Sequence, residues 1–170
     1  TQMGPLCTPG QLSTVTAQVA RAQEQGAELV AGGRQPEGLG GLFYEPTILA
    51  CPRQDLDIVD TELFGPVLSV LRFRDEAEAL RLANDTRHGL AAGVFTRDNA
   101  RALRMVEGLR AGIVWVNTYR VISPVAPFGG ERLSGYGREA GMQALHDYTR
   151  PKTVWMNMSE TPIANPFQPR

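Results

Sequence analysis

The sequence is poor in the residues that mark metal, nucleic-acid and membrane proteins. Lysine occurs once, at Lys152, histidine occurs twice, and the formal net charge is -1. This near-neutral balance gives no reason to expect a nucleic acid or an anionic membrane as partner. No run approaches the roughly 18 apolar residues of a membrane span, and the N-terminus lacks a signal-peptide pattern. We therefore expect no membrane association and a cytoplasmic location.

Cysteine and histidine are too few and too scattered for a disulfide framework or a zinc site. Cys7 and Cys51 are the only cysteines, and we interpret them as reduced thiols of a cytosolic protein. His88 and His146 have no second cysteine or histidine at a metal-ligand spacing. The sequence therefore predicts no metal site. P-loop and G-x-S-x-G strings are also absent.

What the chain does contain is typical of one soluble globular domain. It has 170 residues, of which 42% are hydrophobic and 21% charged. Helical and strand patterns alternate, which predicts an α/β fold with a mostly parallel sheet covered by helices. The predicted helices begin at Pro9 (with Thr8 as N-cap), at 55–59, after Asp75, after Thr96 or Asp98, and at 139–146. The predicted strands are 28–31, 44–49, 67–73, 90–95, 113–116 and 152–156.

A stretch before the third predicted strand combines a carboxylate with an aromatic ring. Glu62 and Phe64 are two residues apart and are followed by Gly65-Pro66, a pair that punctuates the backbone. A loop beside a buried strand often presents ligand-binding side chains. Glu62 can accept hydrogen bonds from a sugar diol, and Phe64 offers a flat face to a heteroaromatic ring. The alternative is a solvated Glu and a core Phe flanking a turn.

The regular pattern stops between residues 117 and 137. Six glycines and prolines in this stretch predict a long loop, which a compact domain seldom keeps without a function. The string Gly135–Ala140 fits G-x-G-x-x-G/A, but it follows this loop rather than a strand. We do not expect it to bind a dinucleotide phosphate.

Seven strings, taken together and in this order, carry a resemblance to one family. They are residues 62–67 (ELFGPV), 83–86 (ANDT), 88–96 (HGLAAGVFT), 111–117 (AGIVWVN), 127–130 (PFGG), 134–139 (SGYGRE) and 148–154 (YTRPKTV). Over about residues 1–157 the chain resembles the C-terminal third of NAD(P)-dependent aldehyde dehydrogenases. The resemblance implies part of that family's catalytic domain.

The same resemblance implies a cofactor contact. In the family, the residue at Glu62 binds the nicotinamide ribose hydroxyls and the residue at Phe64 packs beside the nicotinamide ring. The expected cofactor is therefore NAD or NADP, and the selectivity between them lies in a cofactor domain outside this segment.

The segment after Val116 resembles the wall of the family's substrate tunnel. Its candidate residues for contact with an aldehyde are Asn117, Arg120, Ile122 and Phe128. Arg120 is a candidate for holding a carboxylate end of the substrate bidentately; the alternative is an outward-pointing Arg. For Phe128 the alternative is a core residue.

The family's nucleophilic cysteine, glutamate base and oxyanion asparagine precede this segment, and neither Cys7 nor Cys51 stands in the cysteine motif. We therefore assign no catalytic residue here. The chain is expected to be an inactive piece of an enzyme that oxidises aldehydes to carboxylic acids. The alternative is a stand-alone, non-catalytic binding or assembly module of the same ancestry.

The C-terminal part is expected to serve assembly. We divide the chain into a partial catalytic domain (1–148), an oligomerisation strand (149–157) and an irregular tail (158–170). The apolar stretch 152–156 follows Pro151 and has no later strand to pair with. An unpaired strand edge attracts another chain, which predicts self-association through 152–156. The alternative is that this strand folds back onto its own sheet.

Overall fold

The computed structural model describes residues 3–161 and residue 167. In chain order the elements are α1 (Pro9–Glu24), β1 (Glu28–Ala31), β2 (Thr47–Cys51), α2 (Asp57–Asp60), β3 (Val67–Leu71), α3 (Glu76–Asn84), β4 (Ala91–Val94), α4 (Asn99–Gly108), β5 (Ile113–Val116), a 3₁₀ turn (Arg132–Ser134) and α5 (Ala144–Tyr148).

Three helices begin at side-chain caps that the sequence identified. The Thr8 hydroxyl accepts a hydrogen bond from the Gln11 amide (3.1 Å) at the start of α1. Asp75 caps α3 by accepting from the Glu78 amide (2.8 Å). Of the two candidates for α4, Asp98 is the cap. Each cap satisfies an amide that has no partner inside its helix, so these starts are confirmed.

The strands form two small sheets. β1, β2 and β3 make one sheet in that order, and β4 and β5 make the other. β2–β3 and β4–β5 are parallel, whereas β1 runs antiparallel to β2. Gly32 and Gly33, both with positive φ, follow β1 and allow the chain to turn back. The predicted α/β class with parallel strand pairs is confirmed, although the sheet is in two pieces.

The main core lies between α1 and the first sheet. Val15 and Val19 of α1 are almost fully buried against Leu49 of β2 and Leu56. The buried members of this cluster lie within residues 15–58, and Leu63 and Val67, on either side of Phe64, pack against it. Around the second sheet the buried apolar residues of the described part are Val94, Ala102 and Met105.

Several predicted elements have different boundaries. The predicted segments 55–59, 67–73 and 90–95 are formed as α2 (Asp57–Asp60), β3 (Val67–Leu71) and β4 (Ala91–Val94). The predicted strand 44–49 is formed as β2, which begins only at Thr47, directly after Pro46. The predicted helix 139–146 is shorter, because the backbone of Glu139 pairs with Phe128 instead (N to O 2.6 and 2.7 Å). Helical structure therefore starts at Ala144.

The predicted strand 152–156 is not formed. These residues are exposed and have no assigned secondary structure. A strand exists only when its backbone pairs with a neighbour, and residues 152–156 pair with no strand of the described chain. Residues 158–161 are irregular, and the rest of the predicted irregular tail, apart from residue 167, lies outside the described residues.

No helix among the described residues is long and apolar enough to cross a membrane. They also contain no group of three or more His, Cys, Asp and Glu side chains that could hold a metal ion.

Candidate functional site

Glu62 lies in the loop that leads into β3 with its side chain in solvent. Within residues 3–161 its carboxylate has no hydrogen-bond or ion-pair partner. It lines a cavity of about 320 Å³ together with His88, Leu90 and Ser134. A free carboxylate at the mouth of a cavity retains its full capacity to accept hydrogen bonds from hydroxyl groups of a ligand.

Phe64 is held in a backbone conformation that is unusual for its residue type. Its φ is +51°, in the left-handed region, and its side chain is 73% exposed. The Gln11 side-chain amide donates to the Phe64 carbonyl. The next residue, Gly65, lies against α1, where an added Cβ would be 2.6 Å from a Val15 methyl. Contacts with α1 therefore maintain the strained loop, and such strain clusters at ligand sites.

Glu62 and Phe64 face neighbouring cavities rather than the same one. Phe64 lines a cavity of about 310 Å³ with Leu6 and Tyr44. The hydroxyl of Tyr44 is buried without a partner in the described part of the chain, and burial raises its pKa. The structure thus places the carboxylate and the ring on one loop, and a ligand that touches both has to lie across that loop.

Asn117 fastens the ends of β4 and β5 together. Its amide oxygen accepts from the Thr96 amide and its amide nitrogen donates to the Thr96 carbonyl, both at 2.9 Å. Its own backbone N–H donates to Val94 (2.8 Å), and its φ is +53°. The side chain is therefore committed to Thr96, which makes Asn117 a positioning residue for the loop that follows.

That loop presents Arg120 and Ile122 to solvent. Arg120 has φ +61° and an exposed side chain, and its guanidinium has no partner among the residues described. Ile122 is 63% exposed. The loop is fixed by Trp115, whose indole N–H donates to the Val121 carbonyl (2.8 Å) and whose ring meets Tyr119 edge-on at 5.3 Å between centroids.

Phe128 lines a cavity that neither Arg120 nor Ile122 lines. It is half-buried, pairs through its backbone with Glu139, and lines a cavity of about 290 Å³ with Tyr136 and Arg138. The backbone is closely packed here, because a Cβ on Gly129 would be 2.5 Å from the Gly137 carbonyl oxygen. Gly129 therefore permits a close backbone approach that a side chain would prevent.

The buried cysteine is a poor nucleophile. Cys51 is 6% exposed, and burial raises the pKa of its thiol, so the thiol is protonated at neutral pH. Cys7 is exposed, and its backbone N–H donates to the Gln11 side chain (3.1 Å). This geometry agrees with assigning no catalytic role to Cys51.

Three residues that support the site were missed by sequence reasoning. Gln11 reaches Phe64 across 53 positions of sequence, a separation at which no local pattern gives a signal. Trp115 stands in one of the strings that carry the resemblance, yet its hydrogen bond to the loop has no sequence signature. Thr96 was considered only as a helix start.

Comparisons with known proteins give consistent results. The sequence profile of the aldehyde dehydrogenase family matches residues 1–154. A (Z)-2-((N-methylformamido)methylene)-5-hydroxybutyrolactone dehydrogenase of Acinetobacter baylyi is 54% identical over 168 residues, which are 98% of this chain and 34% of that protein. A betaine aldehyde dehydrogenase of Rhizobium etli is 43% identical over 169 residues, again 98% of this chain and 34% of the relative.

Solved structures agree. A betaine aldehyde dehydrogenase of Staphylococcus aureus, crystallised in complex with NAD+, superposes with a TM-score of 0.92 at 36% identity, over 99% of this chain and 34% of that one. The chain described here therefore spans about a third of the length of its relatives.

Proposed function

Since this chain belongs to the aldehyde dehydrogenase family, we propose that it is the C-terminal third of an enzyme that oxidises an aldehyde to a carboxylic acid with NAD or NADP. The observation that supports this most is the loop before β3. There α1 holds Phe64 in a strained, solvent-facing conformation beside the unpaired carboxylate of Glu62.

Glu62 and Phe64 are proposed to contact the nicotinamide half of the cofactor. A carboxylate accepts both hydroxyl protons of a ribose, and an aromatic face packs against a flat ring. The residues present fit this role because neither side chain is engaged elsewhere in the described chain. When bound, the cofactor accepts the hydride of the aldehyde; what this segment supplies is the placement of the nicotinamide end.

Asn117, Arg120, Ile122 and Phe128 are proposed to border the aldehyde site. Asn117 acts through its contacts with Thr96, which set the direction of the following loop. Arg120 and Ile122 are available for direct contact, and Phe128 offers an apolar surface nearby in sequence.

Arg120 bears on the choice of substrate. The S. aureus and R. etli relatives are betaine aldehyde dehydrogenases, and betaine aldehyde carries a quaternary ammonium group. An unpaired guanidinium beside the substrate repels such a cation and attracts a carboxylate. We therefore propose that the complete enzyme prefers aldehydes with an acidic or neutral end. Equal catalytic efficiency toward acidic and cationic aldehydes of the same length would contradict this.

The 170-residue chain by itself is proposed to be inactive. The nucleophile and base of the family have no counterpart here, and loss of both removes the covalent route. We expect no aldehyde oxidation by the purified chain with NAD or NADP. Turnover above background that disappears in Cys7→Ser or Cys51→Ser would show that a cysteine had been misassigned.

The placement within the enzyme is tested at the level of the gene. We expect the reading frame upstream of Thr1 to encode the cysteine motif and a Rossmann segment. Finding those motifs after Arg170 instead would place the chain at the other end of the enzyme and overturn the proposal.

The domain division (1–148, 149–157, 158–170) and self-association through 152–156 remain proposals. They are supported by the exposure of Val154 (70%), Trp155 (93%) and Met156 (74%), an apolar stretch that a partner would cover. Sedimentation at micromolar concentration, with Val154→Lys as the disrupting variant, tests this. A monomer at all concentrations would contradict it.

A further inference from the structure

A histidine shares the cavity of Glu62. This cavity, of about 320 Å³, is bordered by residues drawn from 59–62, 83–92 and 109–111 and by Ser134. His88 is half-buried in its wall. The backbone N–H of His88 donates to the Thr86 hydroxyl (3.2 Å), but its imidazole has no hydrogen-bond or ion-pair partner among residues 3–161. The ring is therefore free to contact a ligand that occupies the cavity.

Hydrogen bonds fix the backbone next to this ring. The Gly89 amide donates to the Ser134 hydroxyl (3.0 Å). The Gly89 carbonyl accepts from the amides of Gly112 (3.1 Å) and Glu131 (3.0 Å). Because a side chain on a fixed backbone loses less freedom when it meets a ligand, His88 is placed to act as a preorganised contact.

Other polar side chains of the cavity are engaged in the fold. The Asn84 side chain donates to a carbonyl of α4 (2.8 Å), and the Asp60 carboxylate pairs with Arg87 (2.8 Å). Glu62 and His88 differ from them, because neither side chain has a partner in the described part of the chain. A carboxylate and an imidazole that are both unengaged in one cavity form a binding pair for a polar ligand.

The two groups complement each other toward a sugar diol. An ionised carboxylate only accepts hydrogen bonds, whereas a neutral imidazole has one donor and one acceptor nitrogen. Glu62 can therefore take the protons of the ribose hydroxyls while His88 donates to a hydroxyl oxygen.

Protonation of His88 disturbs this arrangement. An imidazolium attracts the carboxylate itself and so competes with the ribose for Glu62. It also repels the nicotinamide ring of the oxidised cofactor, which carries a positive charge, whereas the ring of the reduced cofactor is neutral. Histidine is the side chain that ordinarily changes charge between about pH 5 and 8, so this competition falls in the physiological range.

The other charged groups around His88 are carboxylates and guanidinium groups. Asp60 and Arg110 line the same cavity, and Arg132 donates to a carbonyl of the loop that carries His88. Arginine keeps its charge throughout, and an ordinary carboxylate is ionised above about pH 5. The residues that β4 and the end of α3 contribute to the cavity are uncharged. A pH dependence of binding at this cavity is therefore assigned to His88.

We propose that His88 is a second contact for the nicotinamide ribose, beside Glu62, and that it makes cofactor binding depend on pH. The neutral ring donates to a ribose hydroxyl, and the protonated ring withdraws Glu62 and repels NAD+. The affinity for NAD+ therefore falls as the pH decreases through the range in which histidine titrates. This inference rests on the proposed function, because it takes the ligand at Glu62 to be the cofactor.

Cofactor binding to the complete enzyme tests the pH dependence. We expect the dissociation constant of NAD+, followed by fluorescence quenching, to rise at least about threefold from about pH 8 to about pH 5.5. The rise should be smaller for NADH, whose nicotinamide ring is uncharged. His88→Gln keeps a neutral donor, so its affinity at pH 8 should stay within about twofold of the wild type and should not fall at pH 5.5. The exposed His146→Gln is the matched control and should behave as the wild type.

His88→Phe separates the contact from the titration. This variant keeps a ring but cannot donate a hydrogen bond, so NAD+ should bind about three- to tenfold more weakly at pH 8, without a further loss at pH 5.5. Wild-type affinity in His88→Phe at pH 8 would overturn the contact. If this variant folds poorly, His88→Gln still tests the pH dependence.

NMR of the histidine rings gives a readout that needs no turnover. The signal that disappears in His88→Gln identifies the ring in the complete enzyme. A cofactor that binds the neutral ring better makes that ring harder to protonate, because the two equilibria are linked. NAD+ should therefore move the titration midpoint of this signal to lower pH, and an unmoved midpoint would contradict the inference.

The outcomes separate this inference from the proposed function. Unchanged NAD+ affinity in Glu62→Gln would count against the proposed function itself. If Glu62→Gln weakens binding but the pH dependence is absent, or persists in His88→Gln, the proposed function stands and the role given to His88 is wrong.

Discussion

Two regions of the molecule hold their candidate site residues in different ways. In the core-backed region (residues 9–71), nine buried residues pack beneath the loop of Glu62 and Phe64. In the clasp region (residues 91–148), the described part has three buried apolar residues, and hydrogen bonds from Asn117 and Trp115 fix the loop. The difference shows that one strained loop is supported by apolar packing, and the other by a few polar contacts between strand ends.

The largest expected effect comes from truncating a buried side chain in the core-backed region. Leu49→Ala removes a fully buried side chain between α1 and the first sheet and should lower the free energy of unfolding by about 2–5 kcal/mol. Chemical denaturation measures this. Leu103→Ala, at a position 65% exposed on α4, is the matched control and should cost much less. Similar losses for both would show that the core-backed region is not the more tightly packed one.

A smaller change tests how α1 supports the Phe64 loop. Gly65→Ala places a Cβ 2.6 Å from a Val15 methyl, and we expect it to destabilise the protein by about 1–3 kcal/mol. Gly4→Ala has no atom within 4 Å of the added Cβ and serves as the control. If Gly65→Ala is as stable as Gly4→Ala, the proposed support from α1 is wrong.

In the clasp region the corresponding change is at Asn117. Asn117→Ala removes both bonds to Thr96 while keeping a Cβ at φ +53°, with an expected cost of about 1–3 kcal/mol. Asn117→Gly removes the same bonds but relieves the backbone strain, so it should be less destabilising. Hydrogen exchange of the Thr96 amide should rise in both variants. An Ala variant more stable than the Gly variant would contradict the role given to the backbone conformation.

The smallest expected effect is electrostatic. It comes from the ion pairs between Glu76 of α3 and Arg101 and Arg104 of α4. Hydrogen bonds from Arg104, with a contribution from Arg101, lower the pKa of Glu76 from 4.5 to about 2. Because the folded-state pKa is the lower one, the contribution is present above pH 4.5 and is lost as the pH falls toward about 2. Both partners are at the surface, so the effect is small. Glu76→Gln should flatten the pH dependence of stability in that window, and an unchanged profile would contradict the pairing.

How much the sequence predicted also differs between the regions. The helix caps Thr8 and Asp75 bond to amides only three residues away, so the sequence around them is enough to predict them. The strand β5 also lies at the predicted residues 113–116. The stretch 152–156 has strand-like residues but pairs with no strand edge in the described chain. A strand needs a backbone partner as well as suitable residues, and the residues alone do not identify that partner.

The candidate site shows the same limit. Glu62 and Phe64 were identified from their spacing and resemblance, and the structure adds that they face separate cavities. Gln11, which holds Phe64, lies 53 residues away, and only the folded chain shows that contact.

In the complete enzyme, Glu62 is proposed to bind the nicotinamide ribose. The most direct measurement is the rate of hydride transfer and the affinity for NAD and NADP in Glu62→Gln, with the exposed Glu37→Gln as the matched control. We expect catalytic efficiency with the cofactor to fall in Glu62→Gln, because the variant loses a charge-assisted hydrogen bond that contributes about 1–3 kcal/mol. The efficiency should be unchanged in Glu37→Gln. Unchanged affinity and unchanged turnover in Glu62→Gln would contradict the claim.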